Sequence, residues 1–507
     1  MLSVTDPKPF PPCPNPFNMA AYVLGRADVM PDKVAVAVVS DTHVERMSYG
    51  QLVSAVRGTG AGLLQAGCVP GDKILLRLGN TIDFPIAYLG ALGVGLVPIP
   101  TSAVLKANEV AEIIAQMQPR ITLRDPEVAS APGAPEIGLA TLRAMRTLPP
   151  APWDLGDPER LGYVVYTSGT AGMPRAVGHA HRAIWARQMM HQGWYGLQQN
   201  DVLMHAGAFN WTYTLGTGLM DPWSVGATAL IPAPGTPPEA LGAFLDWHRG
   251  TLFAAAPGVY RQMLARGTLP PLPTLRHGLS AGEKLPPTTQ EAWMQATGTP
   301  IFEAYGLSEC STFISSSPDA PCAPDALGRP QPGRHVAIVG AHGPVPLEDV
   351  GDISVHRSDP GLMLGYVNHP EETHARFQGE WFLTGDLGRM SADGQIRYLG
   401  RNDDMMNAGG YRVSPIEVEA VVSKAQGVAS VGVAEVEVKP GVRVIVAFYT
   451  SDTPLDEDAL HTYVQPKLAP YKHPRAYIRI DQMPTGANGK LQRRRLPLFW
   501  PKNTKAH

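Results

Sequence analysis

Between residues 33 and 255, strand-like apolar runs alternate with segments whose apolar residues recur at helical spacing, and an α/β layered fold is what that pattern demands. VAVAVV (34–39) reads as a strand, and residues 48–66 read as a helix that ends at Gly67 as its C-cap. DKILLRLG (72–79) is the next strand, followed by a helix over 85–92 and a short buried strand, LVPIP (96–100). Residues 160–166, 227–231 and 251–255 are further strand candidates. No internal repeat of fixed period is visible. Between about 315 and 400 the runs shorten to HVAIVG, GDISVH and GQIRYLG, separated by Gly, Pro and Asp, which predicts a β-rich subdomain. After the polar stretch 401–404 comes a compact α+β pattern: a helix over 415–424, strands over 428–438 and 442–450, a helix over 456–467 and a strand over 475–479. We therefore expect a large multi-layer α/β domain over 1–400 and a small α+β domain over 401–507.

The charge balance narrows the partners. With 42 Lys and Arg against 45 Asp and Glu, the formal charge of -3 supplies no global field for nucleic acid or an anionic membrane. The most apolar stretch, 84–100, is interrupted by Pro85, Gly90, Gly93, Gly95, Pro98 and Pro100, too short and too broken for a membrane span. The cysteines at 13, 68, 310 and 322 form no C-x-x-C pair, so neither a disulfide framework nor a zinc site is indicated. The proline-rich amino terminus lacks a signal-peptide core, and a reducing cytoplasm is the expected compartment. Pro and Gly make up about one residue in five, short of a low-complexity composition, so they punctuate turns.

Chemistry concentrates in Tyr166-Thr167-Ser168-Gly169-Thr170-Ala171-Gly172-Met173-Pro174-Arg175, which follows a strand candidate. Glycines let the backbone approach an anion closely, hydroxyls and free N–H groups donate to its oxygens, and a cation neutralises its charge. These are the requirements of phosphate binding; a plain polar turn is the competing reading. The loop is not a Walker A sequence, and no G-x-G-x-x-G fingerprint occurs, since Gly58, Gly60 and Gly62 have the wrong spacing and fall in a helical pattern.

Five further segments follow in order: Ser280-Ala281-Gly282-Glu283, Tyr305-Gly306-Leu307-Ser308-Glu309, Thr384-Gly385-Asp386, Gly400-Arg401-Asn402-Asp403-Asp404 and Asn488-Gly489-Lys490. With the loop they make the chain, over about residues 20–496, resemble the adenylate-forming superfamily of acyl-CoA synthetases, carrier-protein adenylation domains and luciferases. The resemblance implies a large N-terminal domain and a small mobile C-terminal domain with a hinge at 401–404. It also implies a two-step reaction. A carboxylate attacks the α-phosphorus of ATP to give an acyl-adenylate and pyrophosphate, and a thiol then displaces AMP to give a thioester.

By the same resemblance, Thr167, Ser168, Gly169, Thr170, Gly172 and Arg175 hold the β- and γ-phosphates, and Gly282, Glu283, Ala304, Tyr305, Gly306 and Ser308 serve the nucleotide. Thr170 and Glu309 are expected to serve Mg2+, a hard cation that takes oxygen ligands. Asp386 accepts the ribose hydroxyls, with Arg401 assisting. Lys490 is expected near the α-phosphate and the substrate carboxylate, where a compact ammonium lowers the repulsion between two anions. Asp403 corresponds to the hinge about which Lys490 leaves after adenylation, and Gly409, Gly410 and Tyr411 then form the tunnel for CoA. A local Arg401–Asp403 ion pair and a solvated basic face at Arg493 to Arg495 are the bland readings of those charges. His179 and His181 receive no chemistry. Two positions depart from the family pattern: Ala171 replaces a usual Thr, and Arg175-Ala176 replaces a usual Lys-Gly, which keeps the charge but removes one hydroxyl.

The acyl pocket is expected to take Asn210, Trp211, Thr212, Tyr213, Ala281, Thr312 and Phe313, in a run that resembles the benzoate-CoA ligase branch. Trp211 and Tyr213 read equally well as core aromatics. These segments hold no Arg or Lys, which argues against a second carboxylate on the substrate, because a buried anion demands a partner. Asn210, Thr212 and Thr312 suit a hydroxyl or amino substituent. The expected activity is that of an acid–CoA ligase using ATP, Mg2+ and coenzyme A on an aryl or short monocarboxylic acid. Loading of a carrier protein in trans is the alternative acceptor; a luciferase-like oxygenase and a nucleotide-binding pseudo-enzyme are weaker readings. A homodimer and a lysine acetyltransferase acting on Lys490 complete the expected partners, since acetylation would delete the charge the transition state needs.

Overall fold

The computed structural model describes residues 1–5, 10–167, 175–265, 269–323, 325–408, 411–439, 442–485 and 491–501, with the backbone alone for 407, 408, 411 and 412. The chain forms two compact units, one of Thr5–Val336 and Val355–Phe382, the other of Met1–Val4, Ala337–Ser354 and Leu383–His507.

The larger unit is mixed α/β. Its main sheet runs in the order Arg329–Pro330, Ser311–Ser315, Ile301–Leu307, His277–Ala281, Leu252–Ala255, Val202–His205, Thr228–Pro232, Val34–Val39, Val44–Ser48. The inner neighbours from Ile301–Leu307 to Val34–Val39 pair in parallel and the outer ones antiparallel. Its register sets His205 beside Ala254, Ala255 beside Ser280, and Ala281 beside Ala304, so the carboxyl ends of four parallel strands lie side by side. In open α/β sheets that edge is where ligands bind. A second, all-parallel sheet contains Val97–Pro100, Lys73–Arg77, Ile121–Arg124 and Glu136–Gly138. A third, antiparallel, contains Gly365–Tyr366, Arg175–Ala180 and Leu161–Thr167.

The expected helix over 48–66 is Tyr49–Gln65, capped by the Ser48 hydroxyl in a capping box with Gln51, and Gly67 beyond it is left-handed at φ +82. The helix over 85–92 is Asp83–Gly93. No helix among the described residues is long and apolar enough to cross a membrane. One core cluster centres on Phe253, Tyr260 and Trp293, whose rings meet at 4.8–5.9 Å in edge-on and stacked arrangements. All four cysteines are free.

In the smaller unit Ser430–Lys439 pairs antiparallel with Val442–Thr450, which pairs in parallel with Ala476–Arg479. Helices Pro415–Val422, capped by the Ser414 hydroxyl, and Glu457–Val464 cover a core of Val418, Val422, Val433, Ile445, Leu460 and Val464. Strands Trp381–Met390 and Ile396–Arg401 form an antiparallel pair, with Asp386 opposite Arg401. The 400/401 position falls inside this unit, at the left-handed Gly400 (φ +120) before the 3-10 turn Asn402–Asp404. The bland reading of Arg493 is corrected here. Its guanidinium is largely buried, paired with Glu419 and donating to the Val433 carbonyl, because a helix carboxylate and a strand carbonyl converge on it.

Candidate functional site

The strands Leu161–Thr167 and Arg175–Ala180, which flank the expected phosphate loop in sequence, pair antiparallel with Thr167 opposite Arg175. Ser168, Gly169, Thr170 and Gly172 lie outside the described residues, as do Lys490, Gly409 and Gly410, and of Tyr411 only the backbone is described. Arg175 forms a 2.8 Å ion pair with Glu372, and its guanidinium lies 5.2 Å from the centre of the Tyr366 ring. Tyr366 then donates its hydroxyl to Glu309 Oε1 at 2.7 Å. One tyrosine therefore joins the cation at the end of the loop to the carboxylate expected at the metal. Burial and the adjacent Glu309 charge push the Tyr366 phenol above its ordinary range, which keeps it a donor. A carboxylate such as that of Glu309 is a hard oxygen donor of the kind that suits Mg2+.

Glu309 is held from its backbone as well, since Met363 N donates to its carbonyl at 2.7 Å. The segment that carries Met363 and Tyr366 is anchored at Asp359, which forms a fully buried 2.5 Å pair with Arg334; Arg334 also donates to the Thr312 carbonyl. Next to Glu309, the Ser308 carbonyl accepts from His179 Nε2 at 2.7 Å, and His179 stacks on Tyr163 at 4.9 Å. Burial pushes His179 down to about 4, so it remains a neutral prop for this turn. His181 accepts from Met19 N, and burial pushes it down to about 3.

The residues expected to serve the nucleotide, Gly282, Glu283, Ala304, Tyr305, Gly306 and Ser308, lie at or just beyond the ends of His277–Ala281 and Ile301–Leu307, which the sheet makes neighbours. Tyr305 packs edge-on against Phe313 at 5.4 Å. Gly306 is demanded by packing: a Cβ there would lie 2.1 Å from the Ser311 carbonyl oxygen, at a bulge between Ile301–Leu307 and Ser311–Ser315.

The residues expected to line an acyl pocket divide by environment. Ala281, Thr312 and Phe313 are buried, and the Thr312 hydroxyl faces Met190 Sδ at 2.6 Å. Asn210, Trp211, Thr212 and Tyr213 are half-buried at the start of the short helix Thr212–Leu215. Tyr213 packs on the core cluster of Trp194, Leu203 and Ala281, and its hydroxyl donates to the Leu279 carbonyl at 3.0 Å. It is a core aromatic whose position also borders the strand ends.

The structure adds groups that the sequence reading omitted. Arg187 is buried and grips Asp221 bidentately, Nε to Oδ1 at 2.8 Å and Nη2 to Oδ2 at 2.5 Å. Tyr195 donates to the same carboxylate at 2.8 Å, and Arg187 also donates to the Ser311 hydroxyl beside Thr312. A cation thus touches the hairpin of the acyl segment, but Asp221 neutralises it. Its one sequence signal was a lone carboxylate inside the apolar run 215–225. Tyr366 gave no signal beyond being a Tyr in a Gly- and Pro-rich stretch.

In the smaller unit, Arg401 Nε lies 3.6 Å from Asp386 Oδ1 and 3.4 Å from Asp403 Oδ1, and Arg494 pairs with Asp403. The Asp386 turn is built by Asp352, whose Oδ2 accepts from Gly385 N at 3.0 Å.

The model of the AMP-binding enzyme family matches residues 25–367, and that of the AMP-binding enzyme C-terminal domain matches residues 417–490. A 3-hydroxybenzoate–CoA ligase of Aromatoleum sp. (strain CIB) is 30% identical over 480 residues, 89% of this chain and 91% of the relative. A benzoate–CoA ligase of Thauera aromatica is 30% identical, covering 98% of this chain and 99% of its own. The crystal structure of a benzoate CoA ligase from Burkholderia xenovorans LB400 matches with a TM-score of 0.84 at 28% identity, over 95% of this chain and 100% of that one.

Proposed function

The chain belongs to the AMP-binding enzyme family, and we propose that it is an AMP-forming acid–CoA ligase acting on an aryl, benzoate-like acid. In the first half-reaction a carboxylate oxygen attacks the α-phosphorus of ATP, and the bond to the bridging oxygen breaks to release pyrophosphate. In the second, the CoA sulfur attacks the acyl carbonyl, AMP leaves, and the thiol proton passes to solvent. The observation that carries this reading is the Arg175–Tyr366–Glu309 contact, which ties the end of the phosphate loop to the metal-site carboxylate.

In this reading Glu309, with Thr170, holds Mg2+, which when bound offsets charge on the phosphate oxygens. Arg175 and the loop residues hold the phosphates, and Gly282 to Ser308 border the adenine. Asp386 accepts the ribose hydroxyls, and Arg401, 3.6 Å away, orients that carboxylate. Lys490 draws the two anionic reactants together. Residues 401–507 form the mobile domain, Asp403 is its hinge, and residues 409–411 belong to the CoA tunnel. The relatives above are CoA ligases by name, which favours CoA over a carrier protein as acceptor. We place the enzyme in the cytoplasm, as a homodimer silenced by a lysine acetyltransferase acting on Lys490. Acid-dependent ATP–pyrophosphate exchange with benzoate and its hydroxy derivatives tests the first half-reaction; no exchange with any of these acids would overturn the reading.

A further inference from the structure

His205 ends the strand Val202–His205, at the edge where the parallel strands Leu252–Ala255, His277–Ala281 and Ile301–Leu307 also end. It is 5% exposed, and neither ring nitrogen has a hydrogen-bond partner among the described residues. Two buried hydroxyls share that condition: Thr214 Oγ1, and Ser280 Oγ near the end of His277–Ala281, two strands away across Leu252–Ala255. Buried polar groups in native proteins are overwhelmingly satisfied, so unpaired groups that lie together ask for a common partner.

The geometry brings two of the three together. A Cβ on Gly207 would lie 2.4 Å from Thr214 Oγ1 and 2.9 Å from His205 Cε1, the ring carbon between the two nitrogens. Hydroxyl and imidazole edge thus converge where residue 207 has no side chain. Asn80 fixes this backbone, donating to the Gly207 carbonyl at 2.7 Å and accepting from Phe209 N at 3.1 Å. The Tyr213 ring stands edge-on to His205 at 4.4 Å, and its far side packs against Trp194 at 5.8 Å. An imidazole and a hydroxyl are therefore held rigidly beside the aromatic segment that borders the acyl pocket.

We propose that His205, with Thr214, recognises a ring hydroxyl on the aryl acid, so that the preferred substrate is a hydroxybenzoate rather than benzoate. This rests on the acid–CoA ligase reading. A phenolic hydroxyl both donates and accepts, which matches an imidazole nitrogen that accepts and a threonine hydroxyl that donates; an aniline nitrogen is a poor acceptor. Burial and the positive charge of Arg187 push His205 down to about 3, so the ring is neutral at working pH and presents an acceptor nitrogen. A neutral partner also suits a neutral substituent better than a second carboxylate.

The test compares wild type, His205→Phe and Thr214→Val in ATP–pyrophosphate exchange with benzoate and with 2-, 3- and 4-hydroxybenzoate. Wild type is expected to favour one hydroxybenzoate over benzoate by about tenfold or more in kcat/KM, because leaving buried polar groups unpaired penalises the unsubstituted acid. His205→Phe keeps a ring of similar shape and is expected to erase that preference, mostly through KM for the hydroxybenzoate, with benzoate changed less than about threefold. Thr214→Val is expected to shift selectivity in the same direction by less. Equal losses for both acids in His205→Phe, or a wild type without hydroxyl preference, would overturn the assignment while leaving the ligase reading intact. Failure of wild type with every acid, benzoate included, would overturn both. If His205→Phe does not fold, the wild-type preference and Thr214→Val decide the matter.

Discussion

Tyr366 donates its hydroxyl to Glu309 at 2.7 Å, and the two residues, 57 positions apart, are brought together by the antiparallel pairing of Gly365–Tyr366 with Arg175–Ala180 and by the Met363 N–Glu309 carbonyl hydrogen bond. Partners of this kind orient a metal-ligating carboxylate, and their loss typically lowers metal affinity or activity by about 10–100-fold. Tyr366→Phe keeps the ring beneath Arg175 and removes only the hydroxyl. It is expected to slow pyrophosphate exchange by about tenfold and to raise the Mg2+ concentration for half-maximal rate; an unchanged Mg2+ titration would contradict the role given to Tyr366.

Arg175→Lys should leave adenylation within about tenfold of wild type, because the ammonium keeps the charge while losing the contact with the Tyr366 ring. The Glu372 pair that Arg175 also makes is partly exposed, of a kind worth about 0–1 kcal/mol, so stability should hardly change. A larger fall in exchange would mean that the guanidinium fork itself binds phosphate.

The Arg187–Asp221 pair predicts a stability effect. Burial alone would raise the Asp221 carboxyl, but the Arg187 guanidinium reverses this and holds it below the usual carboxylate range. A carboxyl depressed in the folded state contributes stability that is complete above about pH 4 and is lost as pH falls through its folded value. At neutral pH, Asp221→Asn should destabilise the larger unit by about 3–5 kcal/mol, because Arg187 is left buried without its counter-ion. Urea denaturation of the variant measures it; a change below about 1 kcal/mol would contradict the pairing.

Four buried histidines make the fold acid-sensitive in a second window. Burial pushes His179 and His277 down to about 4, and His181 and His205 down to about 3. Their folded values lie below the unfolded value of about 6.5, so the unfolded chain takes up protons first. Their stabilisation is full above about pH 6.5 and falls by up to about 1.4 kcal/mol per histidine per pH unit as pH drops towards 4. Urea midpoints measured at pH 7 and pH 5 should differ clearly, and equal midpoints would show that these rings are not held neutral.

The C-terminal α+β pattern was legible because its strands, Ser430–Lys439 and Val442–Thr450, are long and rich in β-branched residues, and its helices carry polar caps at Ser414 and Asp456. Several strands of the main sheet were not. His277–Ala281 is HGLSA and Ile301–Leu307 is IFEAYGL, short stretches buried within the sheet whose Gly, Ser and Glu conceal any alternation. The motifs themselves stood out because hydroxyls, glycines and carboxylates cluster there in sequence. Tyr366 and Arg187 escaped that reading because their partners, Glu309 and Asp221, are distant in sequence, and His205 because only the fold buries it beside Thr214.

The central claim is that this chain joins an aryl acid to CoA through an acyl-adenylate. Incubating the protein with ATP, Mg2+, a hydroxybenzoate and CoA, and quantifying AMP, pyrophosphate and thioester together, tests it most directly. The account predicts the three products in equal amounts, dependent on both acid and CoA. AMP release without aroyl-CoA, or thioester formed on a phosphopantetheinylated carrier protein but not on CoA, would contradict it.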